Sequence, residues 1–301
     1  MSSMLVWYGE LTTQRNLTRR GLGYLGVGIL WLLVFLVLPG LVLILVSFIT
    51  RGGYGQLVWD FTFENYKRFL GFSVFGWTAD YIIILWRSVW VALMSTLICV
   101  ILSYPLAFFI CSRPEKKRYI WLTLVIVPFW TNMVIRTYAW LLILAPEMPL
   151  AKLASFVKLI PPDTPLYPSA FAVYMGMVSI FLPFVTLPLY SSVERLDWSL
   201  VEAAQDLYAS KMRVFMQAIL PQTLPGLTVG VILTFVPTMG MFVVPNILGG
   251  SKYMLVGNLI QQQFGTSRDW PFGSAISMAL MVLTLVSLQL YRRRSKEVDV
   301  I

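Results

Sequence analysis

The sequence predicts an all-α membrane protein with about six transmembrane helices. Three observations predict it: a high apolar share, a scarcity of charge, and apolar runs that recur at the length of a membrane span. Of the 301 residues, 58% are apolar and only 12% are charged. The mean hydropathy is +0.75. A soluble domain keeps about a quarter of its residues charged, because water must wet its surface. Too little polar material remains here to cover a globule, so lipid must solvate much of the surface.

Crossing the hydrocarbon takes about 20 mostly apolar residues. Six segments qualify, from Leu22 to Ile49, Tyr81 to Cys111, Ile120 to Ala145, Ser169 to Leu189, Pro225 to Leu248 and Gly273 to Leu290. The first is too long for a signal-peptide core and lacks a small-residue cleavage site, so it is expected to stay as an anchor. Together the spans make one membrane domain over 22–290, between a polar N-terminal segment, 1–21, and a tail, 291–301. No internal repeat, low-complexity tract or soluble domain is visible.

The distribution of basic residues orients the spans. With the N-terminus in the cytoplasm, the inner segments hold Arg15, Arg19, Arg20, Arg113, Lys116, Lys117 and Arg118. They also hold Arg195, Lys211, Arg213, Arg292, Arg293, Arg294 and Lys296. The outer segments hold Arg51, Lys67, Arg68, Lys152, Lys158, Lys252 and Arg268, while Arg87 and Arg136 fall within spans. This two-to-one bias places both termini in the cytoplasm. It also accounts for the net charge of +9 without nucleic acid, because the cations flank apolar runs. Three outer segments follow, at about 50–80, 146–168 and 249–272. The aromatics of the first, Trp59, Phe61, Phe63, Tyr66 and Phe69, suit short helices at the interface.

Several function classes are disfavoured. The chain has no histidine, so His-based zinc sites and Ser-His-Asp or Cys-His catalysis are absent. Cys99 and Cys111 share one predicted helix and read as buried small hydrophobes. Gly21, Gly23 and Gly26 match a dinucleotide fingerprint in spacing, but they open a membrane span, where small residues serve close helix packing. Gly226 and Gly230 form a similar pair. No phosphate-binding G-x-x-x-x-G-K-[ST] loop is present, so ATP is not bound through one here. None of the acids lies deep in a predicted span, which removes the relay an ion-coupled carrier uses. Arg136 lies about 16 residues into its helix, roughly 24 Å along, where snorkelling or pairing is the expected role. Prolines punctuate the spans at Pro39, Pro105, Pro128, Pro183, Pro188, Pro237 and Pro245, as packing kinks or as broken helices along a pathway.

The longest inner connection, from Tyr190 to Leu224, is the most informative segment. Ser199 and Glu202 have capping-box spacing, which predicts a helix from Leu200. A second helix is expected after Ser210, ending before Pro221. Leu200, Val201, Leu207 and Phe215 would then stand exposed on a stiff knob, a surface for a protein partner or an amphipathic loop on lipid.

Glu202-Ala203-Ala204, followed by Ala209 and the Ile219-Leu220-Pro221 ending, resembles the EAA loop of ABC importer permeases. The stretches PFWTNMVIR (128–136), PLYSSVERLD (188–197), LGG (248–250), GNLI (257–260) and RDWPFG (268–273) resemble spermidine/putrescine importer permeases of the PotB type. The resemblance implies the type I ABC importer permease fold in a bacterial inner membrane. It further implies half of a polyamine pathway worked by alternating access, with no catalytic site in this chain. The implied partners are an ABC ATPase dimer that binds the Mg-ATP, a second permease of the PotC type and an external polyamine-binding protein. Ser199, Glu202, Ala203, Ala204, Asp206, Tyr208 and Ala209 become the expected ATPase-coupling residues.

Tyr208 departs from the family loop, which usually carries glycine there. If a left-handed backbone is kept, tyrosine costs about 1–2 kcal/mol. A polycationic solute calls for carboxylates, carbonyls and aromatic faces. Asp80 and Asp269 near the outer mouth, and Trp130, Tyr138, Trp140 and Tyr174 in spans, are the candidates. Interfacial anchoring or packing is the alternative for those aromatics. Other readings are a permease for an opine, an aminophosphonate or a similar small solute, an ion-coupled carrier, and a membrane anchor or signalling partner that moves nothing.

Overall fold

The computed structural model describes residues 25–73, 76–161, 163–250 and 253–298. The predicted N-terminal segment with its three arginines, Gly21, Gly23, Lys252 and the last three residues lie outside them. Among the described residues five helices are long and apolar enough to span a membrane, and one pair bent by 95° passes the same test when taken together as a single span.

Helix α1 (Leu25–Ser47) is apolar on all sides, and its first half is exposed among the described residues. Among the described residues nothing lies within 4 Å of a Cβ placed at Gly26, so no packing partner for it is found there. After α1 comes a segment that is not purely helical, contrary to the interfacial helices expected. Strand β1 (Ile49–Arg51) pairs antiparallel with β2 (Leu57–Phe61), and after α2 (Glu64–Phe69) β3 (Phe72–Ser73) pairs with β4 (Gly76–Trp77). Aromatic and β-branched residues between glycines favour hairpins over helix at such lengths.

Helix α3 (Asp80–Cys111) matches the second predicted span and carries both cysteines. The third predicted span is corrected. It is two helices, α4 (Glu115–Trp130) and α5 (Met133–Ile143), bent by 95°. Pro128 lacks the donor a continuing helix needs, and Thr131 is extended. Asn132 then starts a new helix, its side chain accepting from Val134 N at 2.8 Å. A short α6 (Pro149–Phe156) follows.

Helix α7 (Ala170–Glu194) begins at Ser169, whose hydroxyl accepts from Ala172 N, and runs one turn past its expected end. Helix α8 (Trp198–Asp206) leads to α9 (Lys211–Met239). Here the prediction of a helix ending before Pro221 fails. A π-turn over Phe215–Ile219 lets Leu220 N–H reach Phe215 O and carries the helix through the proline. The same device precedes Pro39, where Leu38 N–H bonds Leu33 O. The fifth span therefore ends at Met239, not Leu248, and Pro245–Gly249 forms a separate π-helical turn. Helices α10 (Val256–Phe264) and α11 (Trp270–Val298) are the last elements among the described residues.

The core is the crossing of α3, α7 and α9. Beside it, an apolar cluster joins α3 and α7 to the segment after α9: Cys99, Met177, Phe181 and Val185 are buried with Val244 and Leu248. Ser103 and Thr186 share a hydrogen bond of 2.9 Å across the crossing. Gly226 and Gly230 let α9 approach α7 closely: a Cβ at Gly226 would lie 2.3 Å from Pro188 O, and one at Gly230 2.9 Å from Val185 Cα. Because these neighbours are backbone, relief requires moving a helix. Gly226→Ala should thus lower the melting temperature of the purified protein, at a cost of about 1–3 kcal/mol. Gly26→Ala, in open space, should not. Equal melting of the two variants would contradict the packing.

Candidate functional site

Three places organise the candidate residues: the loop after α7, the region of the break between α4 and α5, and a cavity at the opposite end of the bundle, with Tyr174 apart on α7.

In the loop, α8 begins two residues before the predicted start, and its cap is Asp197 rather than a Ser199–Glu202 box. Asp197 Oδ1 accepts from Ser199 N at 3.0 Å and from Ser199 Oγ at 2.7 Å. Asp197 N in turn donates to Gln222 Oε1 at 2.9 Å, tying the loop to α9. Leu196, Val201, Val214 and Ala218 form a small buried cluster beneath, with Ala204 and Ala209 packed against it. Val201 and Phe215 are therefore not exposed as the sequence implied, whereas Leu200 and Leu207 are. Glu202, Ala203 and Asp206 also face outward.

Helix α8 ends in a Schellman turn. Ala209 N donates to Ala204 O at 3.2 Å and Tyr208 N to Gln205 O at 2.9 Å. Tyr208 occupies the left-handed position with φ 57°, the geometry in which glycine would be unstrained. The condition set by the sequence is met, and the strain of about 1–2 kcal/mol is present. Ser210 caps α9 by accepting from Arg213 N.

A polar contact joins this loop to the broken span. At the end of α7, Glu194 accepts from Tyr190 Oη at 2.6 Å and from Arg118 at 3.2 Å. Arg118 lies in the first turns of α4 and also donates from Nε to Arg113 O. Both charges are partly exposed, so the pair itself is worth under about 1 kcal/mol. Its meaning is positional: the base of the loop is fastened to the helix that breaks.

At the break, Arg136 satisfies the freed carbonyls. Nη2 donates to Thr131 O at 3.0 Å and Phe129 O at 3.4 Å, and Nη1 reaches Ser179 O on α7 at 3.5 Å. The sequence expectation of pairing holds, with backbone carbonyls as the partners. Trp140 Nε1 donates to Ser179 Oγ at 2.8 Å and packs on the core, as does Tyr174. Trp130 and Tyr138 are exposed.

At the far end, Asp80 and Asp269 line one cavity of about 620 Å³ with Glu64, Arg51, Arg68, Phe72, Tyr81 and several threonines. The four aromatic candidates do not line it. Asp269 is buried and engaged: it accepts from Arg68 at 2.8 Å and Arg51 at 3.4 Å, and caps α11 through Phe272 N. Arg68 also stacks on the Phe272 ring at 4.0 Å. Burial pulls the Arg68 pKa down, but its contacts with Asp269 and Tyr81 outweigh that and leave it raised. Sequence reasoning missed Asp197, Arg118, Glu194, Arg51 and Arg68. Only Asp197 carried a local signal, an acid directly ahead of a helix.

The family model for inner membrane components of binding-protein-dependent transport systems matches residues 119–299. The chain belongs to this family. Among its relatives is the spermidine/putrescine transport system permease PotB of Salmonella typhimurium strain LT2, 43% identical over 88% of this chain and 90% of that protein. PotB of Escherichia coli K12 is 42% identical over 88% and 94%, and that of Haemophilus influenzae 38% over 88% and 91%. A bacterial alginate ABC transporter superposes with a TM-score of 0.70 at 17% identity, over 94% of this chain and 98% of that one. The permease thus has the type I importer fold, and the EAA loop and coupling helix are features of its family. Membership places it in the inner membrane, working with an ATPase and a substrate-binding protein.

Arg136→Met deletes three bonds to carbonyls, two of them long, worth about 2 kcal/mol together. Spin labels on α4 and α5 should then report a broader distance distribution in the permease. An unchanged distribution would show that Arg136 does not hold the bend.

Proposed function

We propose that this permease forms half of the translocation pathway of a polyamine importer for spermidine and putrescine. The observation that carries the reading is the 43% identity to PotB, which runs over 88% of the chain rather than over the loop alone. The cavity at one end of the bundle offers Glu64, Asp80 and the Tyr81 ring beside the Arg51–Asp269–Arg68 cluster, carboxylates and an aromatic face that suit a cation.

The second half of the pathway is a permease of the PotC type, and both termini face the cytoplasm. Mg-ATP is bound by the partner ATPase dimer and not by this chain. A polyamine-loaded binding protein delivers the solute to the cavity end. ATP binding closes the ATPase, and α8, with Ser199, Glu202, Ala203, Ala204, Asp206, Tyr208 and Ala209, passes that closure to α7 and α9. Alternating access then follows from the different contacts the ATPase makes with α8 in its open and closed states. Glu194 and Arg118 carry the movement on to α4 and its break.

Labelled spermidine and putrescine uptake should require this chain and a hydrolysing ATPase in cells expressing the complete transporter. Uptake of an opine or an aminophosphonate instead would keep the importer and replace the solute. Glu202→Arg should abolish most uptake while the complex still assembles on a sizing column. Wild-type uptake by that variant would remove Glu202 from the coupling role.

A further inference from the structure

The turn between α3 and α4 carries a surplus of positive charge. Arg113, Lys116 and Lys117 are exposed, and among the described residues none of them forms an ion pair. Arg118 beside them is already paired with Glu194, and Glu115 is the single acid of the turn. Membrane topology asks for cations at a span end, but in no particular arrangement. Here one of them is held in place. The Arg113 guanidinium stacks on the Phe109 ring at 4.2 Å, and Phe109 meets Trp121 of α4 edge-on at 5.0 Å. The Arg113 carbonyl also accepts from Arg118 Nε at 2.9 Å, which fixes the backbone of the turn.

Apolar side chains lead to this turn along both helices. Leu97, Ile101 and Pro105 lie exposed at four-residue spacing on α3, and Phe109 continues that face. On α4 the exposed Lys117, Trp121 and Leu124 share a face in the same way. The contact of Phe109 with Trp121 joins the two faces into one strip. The strip runs from aliphatic groups through two aromatic rings to Arg113 and Lys117. A phospholipid has its parts in the same order, with acyl chains first, then the interfacial region and the phosphate.

We propose that the α3–α4 turn is a binding site for the headgroup of an anionic phospholipid, whose acyl chains lie along the Leu97, Ile101 and Leu124 strip. The occupant is a lipid because the strip belongs to membrane-spanning helices and is apolar up to the rings. It is anionic because a zwitterionic headgroup would bring its own ammonium group against Arg113, Lys116 and Lys117, with only Glu115 to receive it. A guanidinium stacked by its face keeps its edge N–H groups for phosphate oxygens, and the two lysines add point charges. The inference uses none of the residues placed in coupling or in the solute path, and it holds for any solute.

The test places the complete transporter in nanodiscs with a trace of phosphatidylglycerol or phosphatidylcholine bearing a photoreactive acyl chain. Crosslinked peptides are read by mass spectrometry. Phosphatidylglycerol should label the segment 97–124 about tenfold more than phosphatidylcholine does at equal amounts. The double variant Arg113→Gln with Lys117→Gln should bring the two lipids to parity, while Arg113→Lys with Lys117→Arg should keep a preference. Equal labelling of the wild-type segment by both lipids would overturn the proposal, leaving an ordinary lipid-facing surface. No labelling by either lipid would overturn it as well, because a protein subunit would then cover the turn. So would a preference that survives the glutamine pair, or one that inorganic phosphate abolishes at constant ionic strength, which would assign the cations to a free anion. The wild-type comparison decides even if the glutamine pair fails to assemble.

Discussion

Every backbone amide within the hydrocarbon must find its partner inside the protein, and this constraint shapes the permease more than any other. Unbroken helices satisfy it without help. The informative places are those where a helix stops or swells. Where Pro128 and the extended Thr131 end α4, Asn132 supplies an acceptor to α5, and Arg136 donates to Phe129 and Thr131. At Pro39 and Pro221 the ladder widens to a π-turn and the helix continues. Proline alone does not decide the outcome: Pro105, Pro183 and Pro188 sit inside continuous helices. A sharp bend arises only where a second residue is ready to cap the new end.

The same constraint makes the break a defined joint. Arg136 reaches Ser179 on α7, so the corner of the third crossing is held by the helix whose far end enters the proposed coupling loop. That far end is fastened to the start of α4 by Glu194 and Arg118. Helix α7 therefore meets the start of α4 through the Arg118–Glu194 ion pair, and the break through Arg136 of α5, which donates to Ser179 O as well as to Phe129 O and Thr131 O. Close approach of α9 at Gly226 and Gly230 ties the second side of the loop to the same helix.

Much of this was legible in the sequence. The six apolar stretches, the start of α7 at Ser169 and the small-residue pair Gly226 and Gly230 all follow from local composition and spacing. The loop was recognisable because its residues are contiguous, and the cost of Tyr208 could be stated beforehand because it depends on one dihedral. What was not legible depends on distance along the chain or on competition between caps. Asp269 reads as a free acid near a mouth until Arg51 and Arg68, two hundred residues earlier, arrive beside it. Ser199 has the right spacing for a capping box, yet Asp197 is a stronger acceptor two positions before it and takes Ser199 itself as a donor. The hairpins after α1 were obscured because aromatic content suits an interface in either secondary structure.

The account stands or falls on whether events at the loop open a path through the bundle. The most direct measurement is spermidine accumulation in sealed proteoliposomes holding the complete transporter, its binding protein and ATP on the ATPase side. Accumulation against a gradient is predicted, and it should vanish when the ATPase can bind but not hydrolyse ATP. Accumulation that persists with the hydrolysis-dead ATPase, or that follows an ion gradient instead, would contradict it.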